Sequence, residues 1–217
     1  MTTTLPHADV REEIAEYGVE LLEQGLTEGT GGNLSARVDD DHLAISPTGI
    51  PYGDVEPSSV SVVDFDGTVA EGGEPSSELA MHSQIYEERD DVGGVVHTHS
   101  PYATGFAVAN EPIPASHYLV SYAGDRIPVA DYETYGTPAL GQRAVEALGD
   151  DYDACLLKNH GVIAVGDSLG RAFEVALMVE YCARVHHHAS VVGEPTHLSE
   201  SEMADAKAKI DDYGQHT

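Results

Sequence analysis

The sequence predicts an α/β domain: a mixed, largely antiparallel sheet with helices packed on it. Three observations lead there. Apolar runs of strand length interleave with segments of helical periodicity. Several strand pairs are separated only by short turns, Asp39-Asp40-Asp41 and Asp66-Gly67 among them, and so run antiparallel. The chain has 217 residues, 41% of them hydrophobic, which is enough for one well-buried domain and short for two. No linker, internal repeat or low-complexity stretch divides it, so residues 1–217 are read as one domain.

Taken in order, residues 9–26 place Val10, Ile14, Tyr17, Leu21 and Leu22 at helical spacing with acids opposite, and Gly25 closes that helix. A glycine-rich segment, Gly29 to Asn33, precedes a strand at Leu34–Val38, which returns as His42–Ile45. Ser46 to Tyr52, with two prolines, is a rigid loop. Ser61–Phe65 and Thr68–Val69 form the second hairpin. Pro75-Ser76-Ser77-Glu78 opens a helix running to about Arg89, with Ser76 or Ser77 as its N-cap. The strand at 92–98 leads to a helix at Tyr102–Ala109. After a proline break come a short strand at Ile127–Ala130 and a helix at 138–148. Ala154–Lys158 is a buried strand that pairs with Val162–Val165. Helices at Ser168–Ala189 and 199–213 complete the chain.

Charge excludes some partners. With 38 acidic and 10 basic residues the formal charge is −28, which repels nucleic acid and anionic membranes. The acids are scattered and only three lysines occur, Lys158, Lys207 and Lys209. That surface suits a high-salt cytoplasm, where the Debye length falls to about 3 Å near 1 M and self-repulsion is screened. The two cysteines, Cys155 and Cys182, form no disulfide framework and fit a reducing compartment. The polar N-terminus shows no secretion signal, and no run of about 18 apolar residues is present to span a membrane. The expectation is a cytoplasmic protein.

The chemistry gathers around Val95-Val96-His97-Thr98-His99. On a strand His97 and His99 project to one side and Thr98 to the other. Two imidazoles projecting together make half of a metal site, although an edge strand with two hydrogen-bonded histidines is the plainer alternative. His160 supplies a third candidate, directly after an apolar strand and before Gly161. Three neutral imidazoles leave tetrahedral zinc one open position, as in catalytic sites. The consecutive His186, His187 and His188 are about 100° apart on a helix and cannot all hold one ion. His7, His42, His82, His197 and His216 read as structural or exposed. Glu78 falls in the first turn of its helix, where the dipole favours a carboxylate, and is either a capping acid or a functional one. Gly31-Gly32, Thr48-Gly49, Ser76 and Ser77 are each a turn or a cap on their own. Together they offer N–H and hydroxyl donors for a phosphate that a chain so poor in lysine would have to hold through fixed dipoles.

These segments, read as GTGGNLSAR, SPTGIPY, PSSELAMH, VVHTHSPYAT, HYLVSYAG, YGT and LLKNHG in that order, resemble the class II aldolase/adducin family. The resemblance runs from about Gly29 to Tyr213 and is strongest to the family's L-fuculose-1-phosphate aldolases. It implies a three-layer α/β/α fold and a fourfold homotetramer with active sites at subunit boundaries. It implies a Zn²⁺-dependent lyase that cleaves a ketose 1-phosphate to dihydroxyacetone phosphate and an aldehyde. Residue by residue, it implies that His97, His99 and His160 are zinc ligands. Glu78 is then the catalytic glutamate, beside or on the metal, and Tyr118 a tyrosine acid. Gly32, Asn33, Thr48, Gly49, Ser76 and Ser77 are its phosphate-binding positions. Tyr213 is a tail tyrosine reaching a neighbouring subunit's site. The related ribulose-phosphate epimerases carry aspartate where this chain has Glu78, and the non-catalytic adducin heads lack the full histidine set.

Overall fold

Val95 and Val96 show how the molecule is layered. They are neighbours on one strand, both fully buried, yet they belong to two different hydrophobic cores. That requires a sheet covered on both faces. The computed structural model describes residues 5–213. Its sheet has eight strands: β1 (Asn33–Arg37), β2 (His42–Ile45), β3 (Ser61–Asp64), β4 (Val69–Glu71), β5 (Gly94–Thr98), β6 (Val129–Ala130), β7 (Ala154–Leu157) and β8 (Gly161–Gly166). Their order across the sheet is β4-β3-β2-β1-β5-β8-β7-β6. Every neighbouring pair is antiparallel except β6 with β7. The mixed, largely antiparallel expectation holds. β5 is an interior strand and not an edge.

Six helices cover the sheet among the described residues: α1 (Ala8–Glu23), α2 (Leu79–Glu88), α3 (Pro101–Ala109), α4 (Pro138–Leu148), α5 (Leu169–Val192) and α6 (Glu200–Tyr213). Ile14 and Leu21 of α1, Ala103 of α3, and Phe173 and Val179 of α5 pack with Leu34, Val96, Leu156 and Val162 in one core. Met81 and Ile85 of α2 and Leu140 and Ala144 of α4 pack with Val63, Val95, Leu157 and Ile163 in the other. This is a three-layer α/β/α fold. The two cysteines are free, and burial pushes each thiol up to about 12, so they behave as inert core groups. No helix is long and apolar enough to cross a membrane.

The turns formed for the chemical reasons their sequences suggest. Asp39 Oδ1 accepts from the backbone N–H groups of Asp41 and His42 at 2.9 Å each, closing the first hairpin. Gly67 takes φ 91° while Asp66 Oδ1 accepts from Thr68 N–H.

The start of α2 differs from expectation. Neither Ser76 nor Ser77 is its N-cap; Glu78 is, at φ −102° and ψ 16°, with no side-chain cap bond. The reason is tertiary. Pro75 bridges Pro47, and Ser76 N–H donates to Ser46 C=O. These bonds tie the Pro-Ser-Ser segment to the loop after β2 in extended form. The helix begins only where that tie is released. The strand expected over Ile127–Ala130 is likewise shorter, because Ile127 is taken by a bridge to Ile113.

Candidate active site

The first histidine comes from the end of β5, where His97 stands opposite Asn33 on β1 and Ile163 on β8. It is fully buried, and its Nδ1–H donates to the Val162 carbonyl at 2.8 Å. That bond fixes the tautomer and leaves Nε2 free to act as a ligand. His99 lies one residue beyond the strand, anchored by its N–H to Leu26 C=O at 3.1 Å. His160 arrives from the tight β7–β8 turn. The left-handed residue of that turn is Asn159, at φ 58°, and not the glycine that follows. Gly161 serves by having no side chain: a Cβ there would strike the Thr98 carbonyl and stand 2.9 Å from the His99 ring.

The three rings therefore meet. Their centroids are 4.8, 4.8 and 5.2 Å apart, and one nitrogen from each lies within 4.8 Å of the others. His97 Nε2 and His99 Nε2 are 3.0 Å apart. Two nitrogens bound at 2.0–2.1 Å to one tetrahedral ion would be separated by about 3.3 Å, so the spacing suits a shared cation. Burial pushes His99 and His160 down to about 4, and the charge of His97 pushes the same way. Both rings are neutral and ready to ligate at neutral pH.

Glu78 faces this cluster. Its Oε2 is 3.1 Å from His97 Nε2 and accepts from Asn33 Nδ2 at 2.9 Å, and its Oε1 is 3.5 Å from His160 Nε2. Burial alone would raise its carboxyl pKa; the charge of His97 and the donors from His97 and Asn33 outweigh that and hold it well below the usual range. Conversely, burial lowers His97, and the adjacent Glu78 carboxylate brings it back above its ordinary value. Glu78 Oε1 and His160 Nδ1 have no hydrogen-bond partner although both are buried. An orphaned carboxylate oxygen beside converging imidazoles is a donor set suited to a divalent cation.

These groups open onto a cavity of about 390 Å³, lined by Thr30, Gly31, Gly32 and Asn33, by Thr48 and Gly49, and by Ser76, Ser77 and Glu78. His99, His160, Tyr132, Glu133 and Tyr135 also line it. All six positions expected to hold phosphate therefore line one cavity with the histidines and the glutamate. Gly32 at φ 74° and Gly49 at φ 68° need glycine's freedom. A Cβ on Gly32 would also stand 2.6 Å from the His97 carbonyl, so this loop presses directly on the histidine strand. Among the described residues neither lysine nor arginine lines the cavity. An anion there would rely on hydroxyls, peptide N–H groups and the α2 N-terminus.

Tyr118 is not brought to the cluster. It begins a 3₁₀ turn (Tyr118–Tyr122), is 51% exposed and lines a separate groove with Leu119, Tyr122 and residues of α6. The side chain of Tyr213 lies outside the described residues. His186 contacts Ser116 Oγ at 2.9 Å and is not part of the cluster of His97, His99 and His160. Tyr135 and Asn159 belong to the YGT and LLKNHG segments of the family resemblance, but no role followed from the sequence for them, for Tyr132 or Glu133, or for the connections of His82. Tyr132 and Tyr135 are 57% and 68% exposed in one short loop, and the YGT segment was the sequence signal for it.

The imidazole shifts set a pH dependence for the metal-free protein. His99 and His160 titrate near 4 when folded and near 6.5 when not. The unfolded chain therefore takes up their protons first as pH falls. The stability that goes with their neutral form is complete above about 6.5 and is lost between there and about 4. Chemical denaturation at stepped pH should show this decline. A stability that stays flat through that window would mean the rings are not held neutral.

The chain matches the family described as Class II Aldolase and Adducin N-terminal domain over residues 12–187. It is 44% identical over 207 residues to 5-deoxy-D-ribulose 1-phosphate aldolase of Bacillus thuringiensis, covering 94% of this chain and 97% of that one. It is 38% identical over 204 residues to L-fuculose phosphate aldolase of Escherichia coli, covering 93% and 94%. Among solved structures, an L-fuculose 1-phosphate aldolase superposes with a TM-score of 0.90 at 41% identity, covering 97% and 98%. Family match, layered fold and converging histidines agree: this chain is a member of the class II aldolase/adducin family, and the relatives named above are aldolases, which are lyases.

Proposed function

We propose that this protein is a zinc-dependent aldolase that reversibly cleaves a deoxyketose 1-phosphate to dihydroxyacetone phosphate and a short aldehyde. The observation that carries the reading is the meeting of three imidazoles with one orphaned carboxylate oxygen at the wall of a cavity of about 390 Å³. His97, His99 and His160 would hold the ion. Zinc bound there supplies Lewis-acid polarisation of the ketose carbonyl and stabilises the negative charge that develops on its oxygens. The glycine, threonine and serine donors of the cavity hold the phosphate and so fix the reacting carbons relative to Glu78. In the condensation direction Glu78 removes a proton from the hydroxymethyl carbon of dihydroxyacetone phosphate. A tyrosine hydroxyl, that of Tyr118, gives one to the aldehyde oxygen as the carbon–carbon bond forms.

The relatives' names point to two substrates. Cleavage of 5-deoxyribulose 1-phosphate leaves acetaldehyde, and cleavage of L-fuculose 1-phosphate leaves lactaldehyde. Assaying both, with L-ribulose 5-phosphate as control, tests the reading. Release of dihydroxyacetone phosphate from a ketose 1-phosphate supports it. Conversion of the pentulose 5-phosphate without fragments, or no reaction at all, rejects it.

Because Tyr118 lies in a groove of its own within one chain, its role requires a second copy. We take the active form to be a homotetramer in which Tyr118, and the tail tyrosine Tyr213, serve a neighbouring subunit's cavity. Glu78→Gln and Tyr118→Phe, each inactive or weak alone, should then complement each other when co-expressed. In randomly mixed rings about a quarter of sites would carry both intact groups. Activity no greater than that of the parents would show that Tyr118 does not work across subunits.

The surface charge fits work in a salty cytoplasm. Raising KCl from about 0.1 M to molar concentrations should raise the melting temperature and preserve activity, since screening relieves the repulsion of 28 net negative charges. A melting temperature that falls with KCl contradicts this.

A further inference from the structure

Glu78 is not held by the histidines alone. Its Oε2 accepts from Asn33 Nδ2 at 2.9 Å, Asn33 Oδ1 meets His82 Nε2, His82 Nδ1 lies 2.6 Å from Ser35 Oγ, and Ser35 Oγ lies 2.9 Å from Tyr86 Oη. Every member is buried: Ser35 and His82 at 0%, Tyr86 at 1%, Asn33 at 4% and Glu78 at 6% exposure. The chain arises from matched periodicities. His82 and Tyr86 lie four apart on α2, four and eight residues after its N-cap Glu78, and 33 and 35 lie two apart on β1, so one stripe of the helix lies on one face of the strand.

The hydrogen positions follow from its charged end. An ionised carboxylate only accepts, so Asn33 must present its NH₂ to Glu78 and its oxygen to His82. His82 must then carry its proton on Nε2, leaving Nδ1 to accept from Ser35 and Ser35 to accept from Tyr86. All donors point towards Glu78. Burial pushes the His82 imidazole down to about 3, with the charge of His97 adding to it, which keeps the ring neutral as this direction requires.

We infer that His82 is a positioning residue for the reaction: through its Nε2–H it locks the Asn33 amide in one orientation and thereby aims the Glu78 carboxylate. Without that donor Asn33 is free to turn its oxygen towards Glu78, where two acceptors would repel, and the carboxylate would lose its fixed direction. Ser35 and Tyr86 hold the His82 tautomer. The inference rests on the aldolase reading for its kinetic consequences but not for its geometry.

The test compares His82→Leu, which has no donor, with His82→Gln, whose amide can replace Nε2–H. In zinc-loaded, folded protein, His82→Leu should lower kcat for cleavage by about a hundredfold, within the range seen when a supporting hydrogen bond or a reacting geometry is lost. KM for the ketose phosphate and the metal content should stay near wild type. Exchange of the dihydroxyacetone phosphate proton with deuterated water should fall in parallel, since it needs Glu78 and no aldehyde. His82→Gln should recover to within about fivefold of wild type, the worth of one neutral hydrogen bond. Nitrogen-15 NMR of His82 should show a protonated Nε2 and a bare Nδ1. The Asn33 side-chain amide signal should shift in the leucine variant and not in the glutamine variant. The inference is overturned by wild-type turnover in His82→Leu, by equal impairment of the two variants, or by the opposite tautomer. If the wild-type protein cleaves no ketose phosphate, the aldolase reading fails and the two NMR signatures alone decide the positioning role.

Discussion

Glu78→Gln should reduce turnover by about 10²- to 10⁴-fold, the usual worth of a positioned general base or acid, while leaving the metal content near one ion per chain's cluster. The substitution is close to isosteric. Its amide oxygen can still accept from Asn33, as Glu78 Oε2 does at 2.9 Å, and the three imidazoles are untouched. What disappears is the negative charge and the ability to take a proton. The adjacent His97, raised by that carboxylate, loses its partner as well, which favours its neutral, ligating form. Kinetics and metal analysis on the same preparation separate the two roles of Glu78. Metal lost together with activity would make it chiefly a ligand. Unchanged turnover would assign the proton transfer to another group, and Glu133 in the same cavity would be the first to examine.

Removing the metal should abolish activity, and Zn²⁺ should restore it. Lewis-acid stabilisation is worth several kcal/mol, which corresponds to about three powers of ten or more in rate. The geometry of the cluster suits a shared cation. His97 and His99 bring Nε2 atoms to 3.0 Å from each other, and Glu78 Oε1 has no donor. Full turnover in a sample verified to be free of metal would reject the proposed chemistry. The competing route is a Schiff base on lysine. Lys158 is two residues from His160 in sequence, but its backbone is spent on the Ala130 carbonyl and its side chain does not line the cavity. Lys207 and Lys209 belong to α6 and line other grooves. Borohydride treatment in the presence of substrate should therefore trap no lysine adduct.

Much of this molecule could be read from sequence because its signals are local. Helical spacing marked α1 and the apolar side of α2, the other helices of the described residues were placed where the sequence put them, and α4 begins at the expected Pro138 and ends at Leu148. Alternation and the turn residues Asp39 and Asp66 marked the hairpins. The spacing of His97 and His99 already required two rings on one side of a strand, and the run of apolar residues before His160 already required a buried strand ending there. The glycines, threonine and serines that line the cavity were likewise legible, as clusters of turn and cap residues.

Tertiary structure alone decided how these pieces meet. Residues 78, 97 and 160 are far apart in sequence, and it is the order β1-β5-β8 across the sheet that places Asn33, His97 and the β7–β8 turn side by side. Glu78 looked like an ordinary first-turn acid. It is instead an N-cap aimed inward, because the Ser46–Ser76 bond delays the helix by one or two residues. His82 looked like any core histidine, and only the lie of α2 on β1 makes it part of the Glu78 support. Sequence thus determined most of the side chains that line the candidate site, since residue type and local spacing govern strands, turns and possible ligands. The fold decided their directions and partners, since hydrogen bonds between distant segments are set by strand register and helix packing, which no local pattern encodes.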